Sequence, residues 1–186
     1  MQIRNTLSRW GVVSQTLHWL IVILIITQFV LAETEHDMPL GLAKFAILAR
    51  HKSIGITILI LAILRLLWRW MNPVPPLPDT LKPYERVLAH VSHFGLYFFL
   101  FAQPITGWIL SSASNFPVSY FGWFTLPNLV APDKHFAAIM HEVHEWLFNI
   151  LVAFAVLHIA AALKHHFVLK DDVLRRMLPQ VPKTPR

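Results

Sequence analysis

The sequence predicts an all-α membrane protein, a four-helix transmembrane up-down bundle with both termini in the cytoplasm. Two observations set the class. Of 186 residues, 55% are hydrophobic and only 14% charged, well below the roughly 25% charge of a soluble domain. Four long apolar stretches also alternate with short polar ones. A third observation, the distribution of Lys and Arg, sets the orientation.

The first helix is expected at about 10–32, around "TLHWLIVILIITQFVLA". That core is long enough to cross about 30 Å of hydrocarbon. It resembles a signal peptide, but "ETEHDMP" follows in place of a small-residue cleavage site, so it is expected to stay in the mature chain. The semi-apolar "EHDMPLGLAKFAILAR" lets the second helix begin early. That helix is expected at about 45–70, around "SIGITILILAILRLLWRW". The proline-rich "MNPVPPLPDTLKPYE" cannot continue a helix and forms an extended link. The third helix follows at about 86–111, around "HFGLYFFLFAQPITGWIL". The aromatic "SSASNFPVSYFGWFTLPNLVAPDKH" is expected to fold down onto the bundle as a cap. The fourth helix, at about 136–168, ends the bundle, and residues 1–186 read as a single transmembrane domain.

Cations mark one side. Arg4 and Arg9 precede the first helix. Arg65, Arg69, Lys82 and Arg86 surround the second link. Lys164, Lys170, Arg175, Arg176, Lys183 and Arg186 follow the last helix. The other side holds Lys44, Arg50, Lys52 and Lys134 with most of the acids. The positive-inside rule places the first group in the cytoplasm. The net charge of +6 is therefore an orientation signal, and a nucleic-acid partner is not expected; the partner is membrane lipid. There is no cysteine. Disulfides, thiolate catalysis and Fe–S clusters are excluded, and histidine becomes the main candidate for cofactor chemistry.

The stretch "HEVHEWLFNILVAFAVLHIAAALKHHF" places five histidines on a helix that spans a membrane. A helix rises about 1.5 Å and turns about 100° per residue. The fourteen residues from His144 to His158 give roughly 21 Å of rise and return to within about 40° of the same face. His165, seven residues further, continues that face toward the cytoplasm. His141 and His166 fall about 100° off it. On the other helices, His18 matches the depth of His158, and His51 matches the depth of His144. Two imidazoles facing each other across a bundle hold a planar iron macrocycle and fill both its axial positions, which favours electron transfer. The spacing thus points to two haems, one near each leaflet. Ser14, Gly55, Ala155 and Ala162 are small neighbours that leave room. The alternative from another class is a histidine-based metal transporter without haem. It requires carboxylate or Met ligands at the same depths, and those faces carry essentially none.

The segments "GVVSQTLHW", "HKSIGITILILAILRLLWR" and "FGWFTLP", with the His-rich stretch and "KDDVLRRMLP" after it, resemble the prokaryotic cytochrome b561 family. The resemblance runs through nearly the whole chain, in order. It implies a di-haem b cytochrome of the bacterial inner membrane, with His18, His51, His144 and His158 as the haem iron ligands. It also implies electron exchange between a periplasmic redox donor, superoxide included, and ubiquinone. The family is similar to the cytochrome b subunits of membrane hydrogenases, so an electron-transfer subunit for a partner dehydrogenase or hydrogenase is the other redox reading.

Further residues have two readings each. His165 is a candidate quinone contact, since imidazole relays protons near neutrality, or it marks the helix end with His166. Lys52 and Arg9 are candidates for the haem propionates, with Arg50 and Lys134 as further cations on the outer side, or all are ordinary charges. Steering of superoxide by the outer cations would make its oxidation fall with ionic strength. His93 and His90 open the third helix, where no partner histidine remains at that depth, so an interfacial role or one supporting a ligand is expected. His36 and His135 fall in expected loops. The tryptophans suit interfacial belts, with Trp123 as a candidate cover for the outer haem.

Overall fold

The computed structural model describes residues 2–78 and 81–179. Lys183 and Arg186, counted in the charge pattern, lie outside them. Four long helices form in the expected order: α1 (Val12–His36), α2 (Leu42–Trp70), α3 (Pro83–Ala113) and α4 (Lys134–Leu163). All four are long and apolar enough to cross a membrane, α4 together with the π-helical turn Lys164–Leu169 that continues it. A short α5 (Val173–Met177) follows.

Each boundary has a local cause. Pro83 opens α3, where its fixed φ suits the first turn, and Glu85 Oε2 accepts from Lys82 N at 3.0 Å. Asp133 caps α4 by accepting from His135 N at 2.8 Å and Phe136 N at 3.0 Å. The helices reach further than the apolar cores suggest, because polar turns at membrane depth boundaries still complete their backbone bonds. His36 therefore lies in the last turn of α1 and His135 in the first turn of α4, where loops were expected.

Neighbours in sequence pack together: α1 on α2, α2 on α3, and α3 most closely on α4. Gly95 permits that last approach, for any Cβ there would run into the ring of Phe154. α1 and α4 meet more openly. Phe29 stacks on Phe148 at 6.0 Å. Beside them an apolar cleft of about 240 Å³ is lined by Ile25, Ile26, Leu151 and Ala155.

The aromatic connection does fold onto the bundle. It forms a two-stranded antiparallel hairpin, β1 (Ser119–Tyr120) with β2 (Phe124–Thr125). The buried Ser53 hydroxyl of α2 lies 3.1 Å from Ser119 O and accepts from Phe121 N at 3.0 Å. Trp123 sits at the hairpin tip, 79% exposed, with its ring 6.2 Å from those of Tyr120 and Phe121.

At the opposite end the two termini interlock. Asn5 Oδ1 accepts from Gly11 N at 2.9 Å and Ser14 Oγ at 2.7 Å, and its amide donates to Pro73 O at 3.1 Å. Gln15 and Trp19 of α1 donate to Arg176 O at 3.1 Å and Met177 O at 3.0 Å. Arg176 pairs with Asp172 at 2.9 Å and reaches Pro76 O at 2.9 Å. This tail end carries the first-group cations that lie among the described residues, and the hairpin end lies across the bundle from it.

Candidate cofactor site

The histidines fall into two sets at two depths. Near the tail end, the rings of His18 on α1 and His158 on α4 stand 6.4 Å apart, their planes at 71°. Near the hairpin end, the rings of His51 on α2 and His144 on α4 stand 6.4 Å apart, their planes at 72°. A metal–imidazole bond of about 2.0 Å, plus about 1.1 Å from ring nitrogen to centroid, puts two axial imidazoles about 6.2 Å apart across a metal. Both pairs therefore have the separation that an iron between them requires.

The surroundings of the hairpin-end pair are specific. Gly107 of α3 lies against His144, and a Cβ there would sit 3.0 Å from its Cε1. Thr106 Oγ1 is 3.1 Å from His144 Nδ1 and also 2.9 Å from Ala102 O. Gln103 donates to His144 O at 3.0 Å. Across the pair, Gln28 of α1 donates to His51 O at 3.0 Å, while His51 Nδ1 is buried without a partner. Gly55 makes room for the Gln28 amide, 3.2 Å from where its Cβ would be. Ser14, another small residue, is instead occupied by Asn5.

The tail-end set holds a third ring, in the supporting position expected of it. The ring of His93 on α3 lies 5.6 Å from His158. The close packing of α3 on α4 turns it inward. Arg65 of α2 donates to Ser14 O at 3.1 Å, one turn before His18. Its guanidinium is 5.9 Å from the Tyr97 ring, and no carboxylate pairs with it among the described residues.

His165 lies in the π-helical turn, a device often found at functional sites. The turn ends at Lys170 with φ 54°, in the left-handed region. That reversal returns Asp171, whose carboxylate meets His165 Nδ1 at 2.5 Å and whose other oxygen accepts from Val173 N at 3.1 Å. His166 Nδ1 is buried without a partner. Lys52 donates to Phe116 O at 2.7 Å and lies 4.0 Å over its ring. Arg9 donates to Leu178 O at 2.5 Å. Both cations rest on backbone carbonyls here. Sequence reasoning missed Gln28, Gln103, Thr106 and Asp171. The first three were visible as polar residues inside apolar spans, where such groups mark function.

The family model for prokaryotic cytochrome b561 matches residues 9–180. The chain belongs to this family. Cytochrome b561 homolog 2 of Escherichia coli (strain K12) is 38% identical over 189 residues, covering 96% of this chain and 95% of that protein. The probable superoxide oxidase CybB of Yersinia pestis is 32% identical over 164 residues, covering 88% and 92%. Cytochrome b561 homolog 1 of Escherichia coli (strain K12) is 28% identical, covering 94% and 99%. Membership makes this b561-family chain a multi-pass electron-transfer protein of the bacterial inner membrane, and the family implies b-type haem. The residues present fit that group: imidazoles are paired at axial separation, one with a buried nitrogen that has no protein partner.

Proposed function

We propose that this chain is a di-haem cytochrome b that carries electrons from a periplasmic donor to ubiquinone. The observation that carries the proposal is the pair of equal ring separations, 6.4 Å for His18 with His158 and 6.4 Å for His51 with His144. Two haems held in this way would pass single electrons, both axial positions being filled.

The tail end is taken as cytoplasmic from its cations, and the hairpin end as periplasmic. His51 and His144 would then hold the outer haem, His158 and His18 the inner. Lys52, next to His51, would turn from Phe116 O to an outer propionate, and Arg9 from Leu178 O to an inner one. His165 would hydrogen-bond a ubiquinone carbonyl through Nε2 while Asp171 holds Nδ1, a paired arrangement suited to proton delivery. Superoxide is the proposed donor, in line with the name of the Yersinia pestis relative. Two superoxide anions would each lose one electron and leave as dioxygen. Ubiquinone would take those two electrons with two cytoplasmic protons and leave as ubiquinol. The activity would be that of a quinone-linked oxidoreductase.

Haem content of single His→Ala variants at positions 18, 51, 144 and 158 tests the reading. Each is expected to keep one haem of two, and a variant that keeps both breaks its assignment. His165→Ala is expected to keep both haems and lose quinone reduction. Unchanged reduction removes the quinone contact.

A further inference from the structure

The two pairs differ in the polar groups built against their imidazoles. At the hairpin-end pair, the hydrogen bonds around His144 fix its tautomer. The Gln103 amide nitrogen is donor-only and lies 3.3 Å from His144 Nε2. Nε2 therefore carries the lone pair, and Nδ1 carries the proton. Thr106 Oγ1 spends its own proton on Ala102 O or Gln103 O, at 2.9 and 3.0 Å. It is left to accept Nδ1–H at 3.1 Å. An acceptor on the far nitrogen of a ligating imidazole orients the ring and raises its basicity. A more basic ligand favours the ferric state.

At the tail-end pair a cation, Arg65, stands at membrane depth, whereas Lys52 at the hairpin end is held by Phe116 O at 2.7 Å. Arg65 projects from α2 onto Ser14 O at 3.1 Å, one turn before His18. An Arg at membrane depth is costly and marks a function. A fixed cation in a medium of low dielectric disfavours a second positive charge nearby, and so favours the ferrous state. The next ring beside His158 is another imidazole, His93, at 5.6 Å.

We infer that Thr106 and Arg65 set the order of the two haem potentials, Thr106 lowering the outer and Arg65 raising the inner, so that electrons run inward from the hairpin end. The inference rests on the di-haem reading. Thr106 is a positioning residue that acts through His144. Each transfer moves one electron, which leaves the outer iron ferric and the inner iron ferrous, with no proton bound or released by Thr106 or Arg65.

Potentiometric titration of the purified two-haem protein, followed in the α-band, tests this. The component lost in His51→Ala identifies the outer haem. In the parent protein the outer component is expected to be the lower of the two. Thr106→Val keeps the shape and removes the acceptor. A single hydrogen bond changes an equilibrium by about 2- to 10-fold, so the outer component is expected to rise by that factor in its reduction equilibrium. Thr106→Ser is expected to restore it. Arg65→Gln is expected to lower the inner component only, and Arg65→Lys to hold it nearer the parent value. Two bound haems with either shift missing, or with the inner component the lower in the parent, overturn the inference. A parent protein with fewer than two haems fails the di-haem reading instead.

Discussion

If His144 holds the outer haem as proposed, adding one carbon at Gly107 is expected to loosen that haem selectively. A Cβ there would lie 3.0 Å from His144 Cε1 and 3.5 Å from Nδ1. Relaxed carbon contacts are about 3.5–4.0 Å, so the ring must retreat by roughly 0.5–1 Å. Metal–ligand distances tolerate only about 0.2 Å. Retreat is resisted, because Thr106 holds Nδ1 of the ring at 3.1 Å. Overpacking of this kind costs about 1–3 kcal/mol. At about 1.4 kcal/mol per decade, haem retention should weaken roughly 5- to 100-fold. The assay is transfer of haem to a scavenging apo-globin, with the haem-to-protein ratio read as the pyridine adduct. Gly107→Ala is expected to release one haem quickly and keep the other. Gly41→Ala serves as control, since its nearest neighbour would be 4.0 Å away. Equal release from both variants would refute the placement of Gly107 against a ligating ring.

Other outcomes follow from single contacts. Gly95→Leu should force α3 from α4 at Phe154 and lower the melting temperature in detergent, with an overpacking cost of about 1–3 kcal/mol; an unchanged melt would contradict that packing. Ser53→Ala leaves Phe121 N without its acceptor, at a cost of about 1–3 kcal/mol, and should speed hydrogen exchange in the hairpin with both haem spectra intact. Asp171→Asn removes the carboxylate from His165 and should slow quinone reduction with unchanged haem content; parent-like turnover would speak against proton delivery there. The hydrogen bond from Arg176 holds the Asp172 carboxyl below its usual range. A depressed folded value means the stabilisation is complete above the unfolded value of about 3.9 and is lost as pH falls through the folded one. Exchange protection of α5 should hence stay level from pH 8 to 5 and fall only in stronger acid.

The spanning helices were legible because 3.6-residue periodicity and membrane thickness constrain them independently of any partner. The histidine pairing was legible for the same reason: fourteen residues return to one face whatever packs against it. Which of the two roles expected of His93 it takes was not. It depends on the rotation of α3 against α4, which Gly95 and Phe154 set through contact across the chain. The roles of Thr106 and Gln103 were hidden likewise, since a polar side chain in an apolar span shows that a partner exists without naming it. The reversal that brings Asp171 to His165 rests on a left-handed Lys170, a residue type with no preference for that conformation.

The division of ligands between helices has a consequence for biogenesis. Both pairs draw one imidazole from α4, which leaves the ribosome after α1 to α3. A nascent chain that has inserted α1 to α3 holds only half of each pair. If the two pairs hold haem as proposed, capture must wait for α4, and a chain cut before α4 would enter the membrane with neither pair complete.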